Sequence, residues 1–282
     1  MQGKTCLITG ANAGIGKAAA IGLARQGARV VLLCRSEARG RAAMDEIARR
    51  SGNGSLDLLI ADLASQRQVR EAAEEYLQRF DRLDVLLNNA AVLAWRERRL
   101  NEDGLEMTFA VNHLAPFLLT GLLLDRLKEC APARVVTVAS GAHRKAELDF
   151  DDLQNERDYS PFEAYSRSKL ANVYFTYELA RRLEGTGVTA NCLHPGVVST
   201  ALFREMRPWQ RVLLWLGRPF LLKPEAGADT AVYLAGAPEV EGVTGKYFEK
   251  REEVRSSPVS YDTGAARRFW DVSESLTAPS TG

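Results

Sequence analysis

From residue 4 onward, short apolar runs alternate with longer amphipathic stretches, and no other feature of this sequence narrows the fold as far. The runs at 4–9, 29–33, 56–60, 84–87, 134–139 and 188–193 have strand length and are rich in aliphatic residues. The stretches between them repeat apolar residues at three- and four-residue spacing. That spacing predicts helices over about 15–26, 37–50, 66–79, 106–128, 162–183 and 226–234. SGNG at 51–54 reads as a loop. Strands separated by helices return to the sheet as crossovers, so they run parallel and the helices cover both faces. With right-handed crossovers, the expectation is an α/β fold: a single-domain, Rossmann-type doubly wound parallel sheet. The expected domain spans 1–272, and the polar, small-residue-rich stretch 273–282 is expected to fray.

Composition excludes several function classes. The 282 residues carry 37 Lys plus Arg against 36 Asp plus Glu, a formal charge of +1. Such a balance argues against electrostatic capture of nucleic acid. Cys6, Cys34, Cys130 and Cys192 are widely spaced, without a CxxC, and His113, His143 and His194 have no zinc-ligand spacing. No metal site or disulfide framework is expected. The N-terminus enters a strand-like run at once, so no signal peptide is expected. The longest apolar run, near 212–222, is interrupted by Arg218 and falls short of the roughly 20 residues that span a bilayer. A cytoplasmic protein is the default expectation.

The chemistry-bearing residues cluster at the carboxyl ends of the expected strands, where open α/β sheets bind ligands. Gly10, Gly14 and Gly16 lie in TGANAGIG between the first strand and its helix. Glycine allows positive φ and close backbone approach, and the helix N-terminus offers unpaired N–H groups to a pyrophosphate. A tight turn with no ligand is the alternative. Tyr165 and Lys169 are four apart on an expected helix, hence on one face. An ammonium beside a phenol favours the phenolate, which predicts a lowered Tyr165 pKa and a general acid/base role. An ordinary surface pair is the alternative. Ser140 follows the strand at 134–139, where its hydroxyl can meet a reacting oxygen or simply end the strand. After the second strand, Cys34-Arg35-Ser36 stands where an acidic residue would read a ribose 2′-hydroxyl. Arg35 can instead grip a phosphate, with Ser36 as a further donor, so NADP(H) is the expected cofactor and NAD(H) the second candidate.

TGANAGIG, NNAA at 88–91 and Tyr165-x3-Lys169, together with Asn112 and Ser140 in register, resemble the short-chain dehydrogenase/reductase family. The resemblance runs from residue 4 to about 270. Details such as CRSEARG, VNHLAPFLLT and HPGVVSTAL are similar to its retinol-dehydrogenase branch. It implies an oxidoreductase moving a hydride between nicotinamide and a carbonyl or alcohol, with Asn112, Ser140, Tyr165 and Lys169 as the catalytic set. Asn112 would distort its helix and support a proton relay. Cofactor contacts are implied for Gly10, Asn12, Ala13, Gly14, Ile15, Gly16, Arg35, Ser36, Asp62, Leu63, Asn88, Ala90, Tyr165, Lys169, Pro195, Gly196, Val198 and Thr200. The sequence departs from the family pattern at Ala91, at Pro116 and at Ala13, where many NADP-using relatives have a basic residue. Two other functions are weighed: a cofactor-binding regulator without turnover, and an epimerase or dehydratase of the extended branch. The first need not keep all four catalytic residues, and the second carries TGxxGxxG and a longer C-terminal part. Between residue 200 and the late helix, Phe203, Met206, Trp209, Leu213, Leu214, Trp215 and Phe220 alternate with Arg204, Arg207, Arg211 and Arg218. This segment reads as an apolar lid for a lipophilic carbonyl substrate with peripheral membrane contact, or as helices packed on the sheet or at a homo-oligomer interface.

Overall fold

The computed structural model describes residues 1–94, 97–198 and 221–279. Its centre is one eight-stranded sheet in the order β3-β2-β1-β4-β5-β6-β7-β8. The strands are β1 (Thr5–Thr9), β2 (Arg29–Cys34), β3 (Leu56–Ile60), β4 (Val85–Asn88), β5 (Ala133–Val138), β6 (Val188–His194), β7 (Lys246–Glu249) and β8 (Glu252–Glu253). The first seven pair in parallel, and β8 closes the edge antiparallel to β7. The order reverses at β1, so a crevice opens beyond the carboxyl ends of β1 and β4, the topological switch point.

The helices are α1 (Gly14–Arg25), α2 (Glu37–Ser51), α3 (Gln66–Arg79), α4 (Met107–Phe109), α5 (Ala115–Leu122), α6 (Leu124–Glu129), α7 (Pro161–Arg182), α8 (Pro224–Gly236) and α9 (Thr263–Leu276). The inner strands are largely apolar because both faces are covered. In β1, Leu7 enters the layer formed with Val69 and Tyr76 of α3, Leu119 of α5 and Phe175 of α7. Its neighbours Cys6 and Ile8 enter the opposite layer, with Leu23 of α1, Ile47 of α2 and Leu234 of α8. This alternation is the period-two pleat read against two helical layers.

Three expectations need correction. The helix expected over 106–128 is broken: a π-turn occupies Ala110–Leu114, between α4 and α5, and the chain bends again at Leu123 before α6. Pro116 has no N–H to return to the carbonyl of Asn112 four residues earlier, so the regular ladder fails there. The stretch from Ser273 is not a frayed tail as far as Leu276, because α9 runs through it. Ser273 is buried, and its hydroxyl meets Nε2 of His113 at 2.9 Å and the Phe269 carbonyl at 2.8 Å. A small polar residue allows α9 to approach closely, while Phe269 and Trp270 stack among His113, Phe117 and Phe175. Finally, β7, β8 and α9 were not expected: β7 and β8 are shorter than an average strand and α9 is largely polar.

Candidate active site

The turn after β1 is shaped for close backbone approach. Gly10 and Gly14 adopt φ of +67° and +54°, which disfavour any side chain. Gly16 acts differently. A Cβ there would overlap the Asn89 amide and stand 2.6 Å from the Gly10 carbonyl, so this glycine lets α1 pack against the turn. The N-termini of α2 and α3 are capped by Ser36 and Ser65, whose hydroxyls accept from Arg39 N and Gln68 N. By contrast, α1 begins after Ala13, with no side chain to satisfy its first N–H groups. These open donors face a cleft lined by Gly10, Asn12, Ala13, Gly14 and Ile15 on one side and by Asn89, Ala90, Tyr165, Lys169 and Pro195 on the other. Positive-φ glycines, open amides and a roomy cleft fit a dinucleotide pyrophosphate.

A neighbouring cavity continues the groove over β2 and β3. Arg35, Ser36, Asp62 and Leu63 line it, with Asn12, Arg39 and Met107. Arg35 is exposed, and its only described partner is Asp62, at 3.5 Å from Nη1. Arg39, absent from the sequence expectations, lines both this cavity and the first. With its amide turned so that the oxygen faces Arg39, Asn12 accepts from Nε and Nη2 at 3.3 Å each. The signal was available: Arg39 stands three residues after the cap Ser36, on the same helical edge. Asn88 does not line the groove. It is buried and donates from Nδ2 to Thr120 Oγ1 at 3.0 Å. Asn89 lines the groove instead, its Nδ2 held by the Thr9 carbonyl at 2.8 Å. Strand alternation explains the exchange, since adjacent residues point to opposite faces.

On the far side of Tyr165 lies a larger cavity of about 400 Å³. Its walls are Ile15, Leu93, Phe162, Val197 and Val198, with Ser140, Tyr165 and His194 as polar groups and Lys145 at the rim. Gly196, at φ +79°, turns the chain into this wall. Val198 bridges Leu222, and Leu222 N donates to the Val197 carbonyl at 2.9 Å. Thr200 and the apolar segment 201–220 lie outside the described residues.

Ser140 and Tyr165 meet where the two cavities join. Ser140, two residues past β5, is extended and caps the turn that follows, and its Oγ accepts from Ala142 N at 3.2 Å. With that lone pair engaged, the hydroxyl proton is free to point elsewhere. Lys169 lies one turn along α7 from Tyr165. Only 1% exposed, it donates from Nζ to the Val138 carbonyl at 2.9 Å and sits 5.6 Å from the Tyr165 ring centre. Burial draws the ammonium pKa down to about 7. Burial also pushes Tyr165 up to about 12, against the opposing effect of a hydrogen bond with Ser140. The expected lowering of Tyr165 is therefore not found. Desolvation penalises both charged forms and outweighs their mutual attraction.

Asn112 sits in the π-turn. Its Oδ1 accepts from Val92 N at 2.8 Å, and its Nδ2 donates to the Val92 carbonyl and to Ser168 Oγ, both at 3.0 Å. The side chain is thus committed to holding the 92 loop against α7. Its main-chain carbonyl receives no bond from position 116, where proline has no N–H.

The family described as short chain dehydrogenase matches residues 4–211. Human "Retinol dehydrogenase 14" is 47% identical over 97% of this chain and 86% of its own length. Among solved structures, an uncharacterized protein from Mycobacterium paratuberculosis superposes with a TM-score of 0.78 at 34% identity, covering 98% of this chain and 94% of its own. Pseudomonas aeruginosa RhlG, solved with NADP, superposes at 0.70 with 28% identity, covering 88% of this chain and 94% of its own.

Proposed function

Since this chain belongs to the short-chain dehydrogenase family, in its retinol-dehydrogenase-like branch, we propose that it reduces a lipophilic aldehyde or ketone, or oxidises the matching alcohol, with NADP(H) preferred. It is an oxidoreductase working between C–OH and C=O, and its cofactor is NADP(H), with NAD(H) the alternative. The convergence of Ser140, Tyr165 and Lys169 at the junction of a dinucleotide groove and an apolar cavity carries this reading.

When bound, the nicotinamide supplies or accepts the hydride. The chain does the rest. The open amides of α1, the Gly10 turn and Asn12 hold the pyrophosphate. Arg35, Ser36 and Arg39 face the adenosine end, where two guanidinium groups favour a 2′-phosphate. In the apolar cavity, the Ser140 hydroxyl donates to the carbonyl oxygen and fixes its distance from Tyr165. Tyr165 gives that oxygen its proton, or takes it in the reverse direction. Lys169 holds the nicotinamide ribose, and in its charged form it eases ionisation of the phenol. The Asn112 carbonyl, to which Pro116 can donate nothing, would anchor a water that passes protons between solvent and Lys169, inward for reduction and outward for oxidation. Residues 1–272 act as one domain in this scheme.

The walls of the cavity support a lipophilic substrate, since Ile15, Leu93, Phe162 and Val197 offer almost nothing polar. Among the described residues, no helix is long and apolar enough to cross a membrane. Peripheral contact through the Trp- and Arg-bearing segment 201–220 suits substrates dissolved in lipid. The test is a panel of aldehydes, ketones and alcohols, retinoids included, run with NADPH and NADH. Multiple turnovers on the lipophilic members support the reading. Cofactor binding without turnover on any member would favour the regulator.

A further inference from the structure

Outside the groove, the described residues contain a buried histidine with both ring nitrogens engaged. His143 has 0% exposure and lies in the 3₁₀ turn Gly141–Lys145 that follows Ser140. Its Nδ1 meets the Ser140 carbonyl at 2.6 Å, and because a carbonyl only accepts, Nδ1 carries the proton. Its Nε2 receives the Ser257 amide N–H at 3.0 Å, so this nitrogen is bare. The protein thereby fixes one neutral tautomer. Tyr247 packs on the ring at 4.8 Å between centroids. Arg144, Glu249 and His194 are the charged or titratable neighbours, and burial holds the pKa below the usual imidazole value.

The other side of this contact is equally constrained. The Ser257 carbonyl accepts from Ser260 Oγ at 2.6 Å. Ser260 Oγ meets Ser256 Oγ at 2.6 Å, and Ser256 Oγ meets the Tyr177 hydroxyl at 2.7 Å. Tyr177 belongs to α7, the helix that bears Tyr165 and Lys169. A continuous chain of hydrogen bonds therefore runs from α7 through Tyr177, Ser256, Ser260, Ser257 and His143 to the backbone of Ser140.

We infer that His143 is a positioning residue: by bridging the Ser257 amide to the Ser140 carbonyl, it holds Ser140 in register with Tyr165. This rests on the role proposed above for Ser140. Ser140 hangs from the end of a strand, and its partners in chemistry stand on a helix that packs across it. The two could shift relative to each other by a fraction of an ångström without unfolding anything. A misplacement of about 1 Å can cost about 10²-fold in rate. His143 adds no charge and touches no substrate, so its effect is felt in kcat and not in cofactor affinity.

Three substitutions separate its two bonds. In His143→Asn, Nδ2 replaces the Nδ1 donor and the Ser257 bond is lost. His143→Gln reaches Ser257 with its carbonyl oxygen and loses the Ser140 donor. His143→Leu loses both. Measured on the full chain with NADPH and an active aldehyde, kcat should fall about tenfold or more in all three variants, because each breaks the bridge. The Kd for NADPH should hold within about twofold in all three. In a Ser140→Ala background, His143→Leu should cost nothing further, because the residue acts only through Ser140. A folded Leu variant with wild-type kcat, an Asn or Gln variant within about threefold of wild type, or an added loss on top of Ser140→Ala would each overturn the inference. If the Leu variant does not fold, the Asn and Gln pair still decides. Undiminished kcat in Ser140→Ala alone would instead remove the proposed role of Ser140, a different failure.

Discussion

Replacing Lys169 with methionine should make the protein more stable at pH 6 while removing its activity. Lys169 is 1% exposed, and burial lowers its pKa from 10.5 to about 7. Between those values the unfolded chain binds a proton that the folded chain does not, so stability rises with pH across that window. At pH 6 the lysine is charged in both states, and the folded state bears nearly the whole penalty. At 1.36 kcal/mol per pKa unit this is about 5 kcal/mol. Methionine has similar length and no charge, but it leaves the Val138 carbonyl without its 2.9 Å donor, which costs about 1–2 kcal/mol. The variant should therefore gain about 3 kcal/mol at pH 6. At pH 9 the remaining penalty is about 2 kcal/mol, and the gain should shrink to about zero. The assay is urea unfolding of both proteins at the two pH values, without cofactor, and the difference between variant and wild type cancels the other titrating groups. A variant less stable than wild type at pH 6, or a difference independent of pH, would refute the reasoning by placing water at Nζ.

Two other outcomes follow from the groove and the cavity. Arg35→Ala should reduce the kcat/KM preference for NADPH over NADH, and Arg39→Ala should reduce it further; equal use of both cofactors by the wild type would remove the phosphate reading. Along a series of straight-chain aldehydes, kcat/KM should rise by up to about fourfold per methylene, the equivalent of about 0.8 kcal/mol, until the cavity of about 400 Å³ is full. A flat profile would exclude the lipophilic substrate and leave the oxidoreductase intact.

What the sequence made legible were the features governed by local rules. Two-sided burial of the parallel strands left unbroken aliphatic runs, and the two helical layers left a 3.6-residue period. The glycine turn was readable because glycine adopts the positive φ found at Gly10 and Gly14 without the cost a side chain would bring. Other features depended on contacts between distant residues. Apolar spacing alone showed one long helix through Asn112, and only the family resemblance implied its distortion; the π-turn accompanies Pro116 and the bond from Val92 N to the Asn112 side chain. Asn88 and Asn89 differ only in which face of the sheet they leave, so the groove residue was misassigned by one position. The raised Tyr165 pKa reflects desolvation, which no spacing reveals. The polar sequence of α9 concealed a buried serine paired with His113 from a distant helix.

The central claim is that Tyr165 carries the proton in a reaction that the rest of the groove only positions. It is tested most directly by comparing kcat of the wild type and Tyr165→Phe on one lipophilic aldehyde with saturating NADPH, alongside NADPH binding to each. Phenylalanine removes one hydroxyl and keeps the ring beside Lys169. The account predicts unchanged NADPH affinity and a loss in kcat of about 10²–10⁴-fold. A Phe variant that keeps more than about a tenth of the wild-type kcat, outside that range for acid/base catalysis, would contradict it.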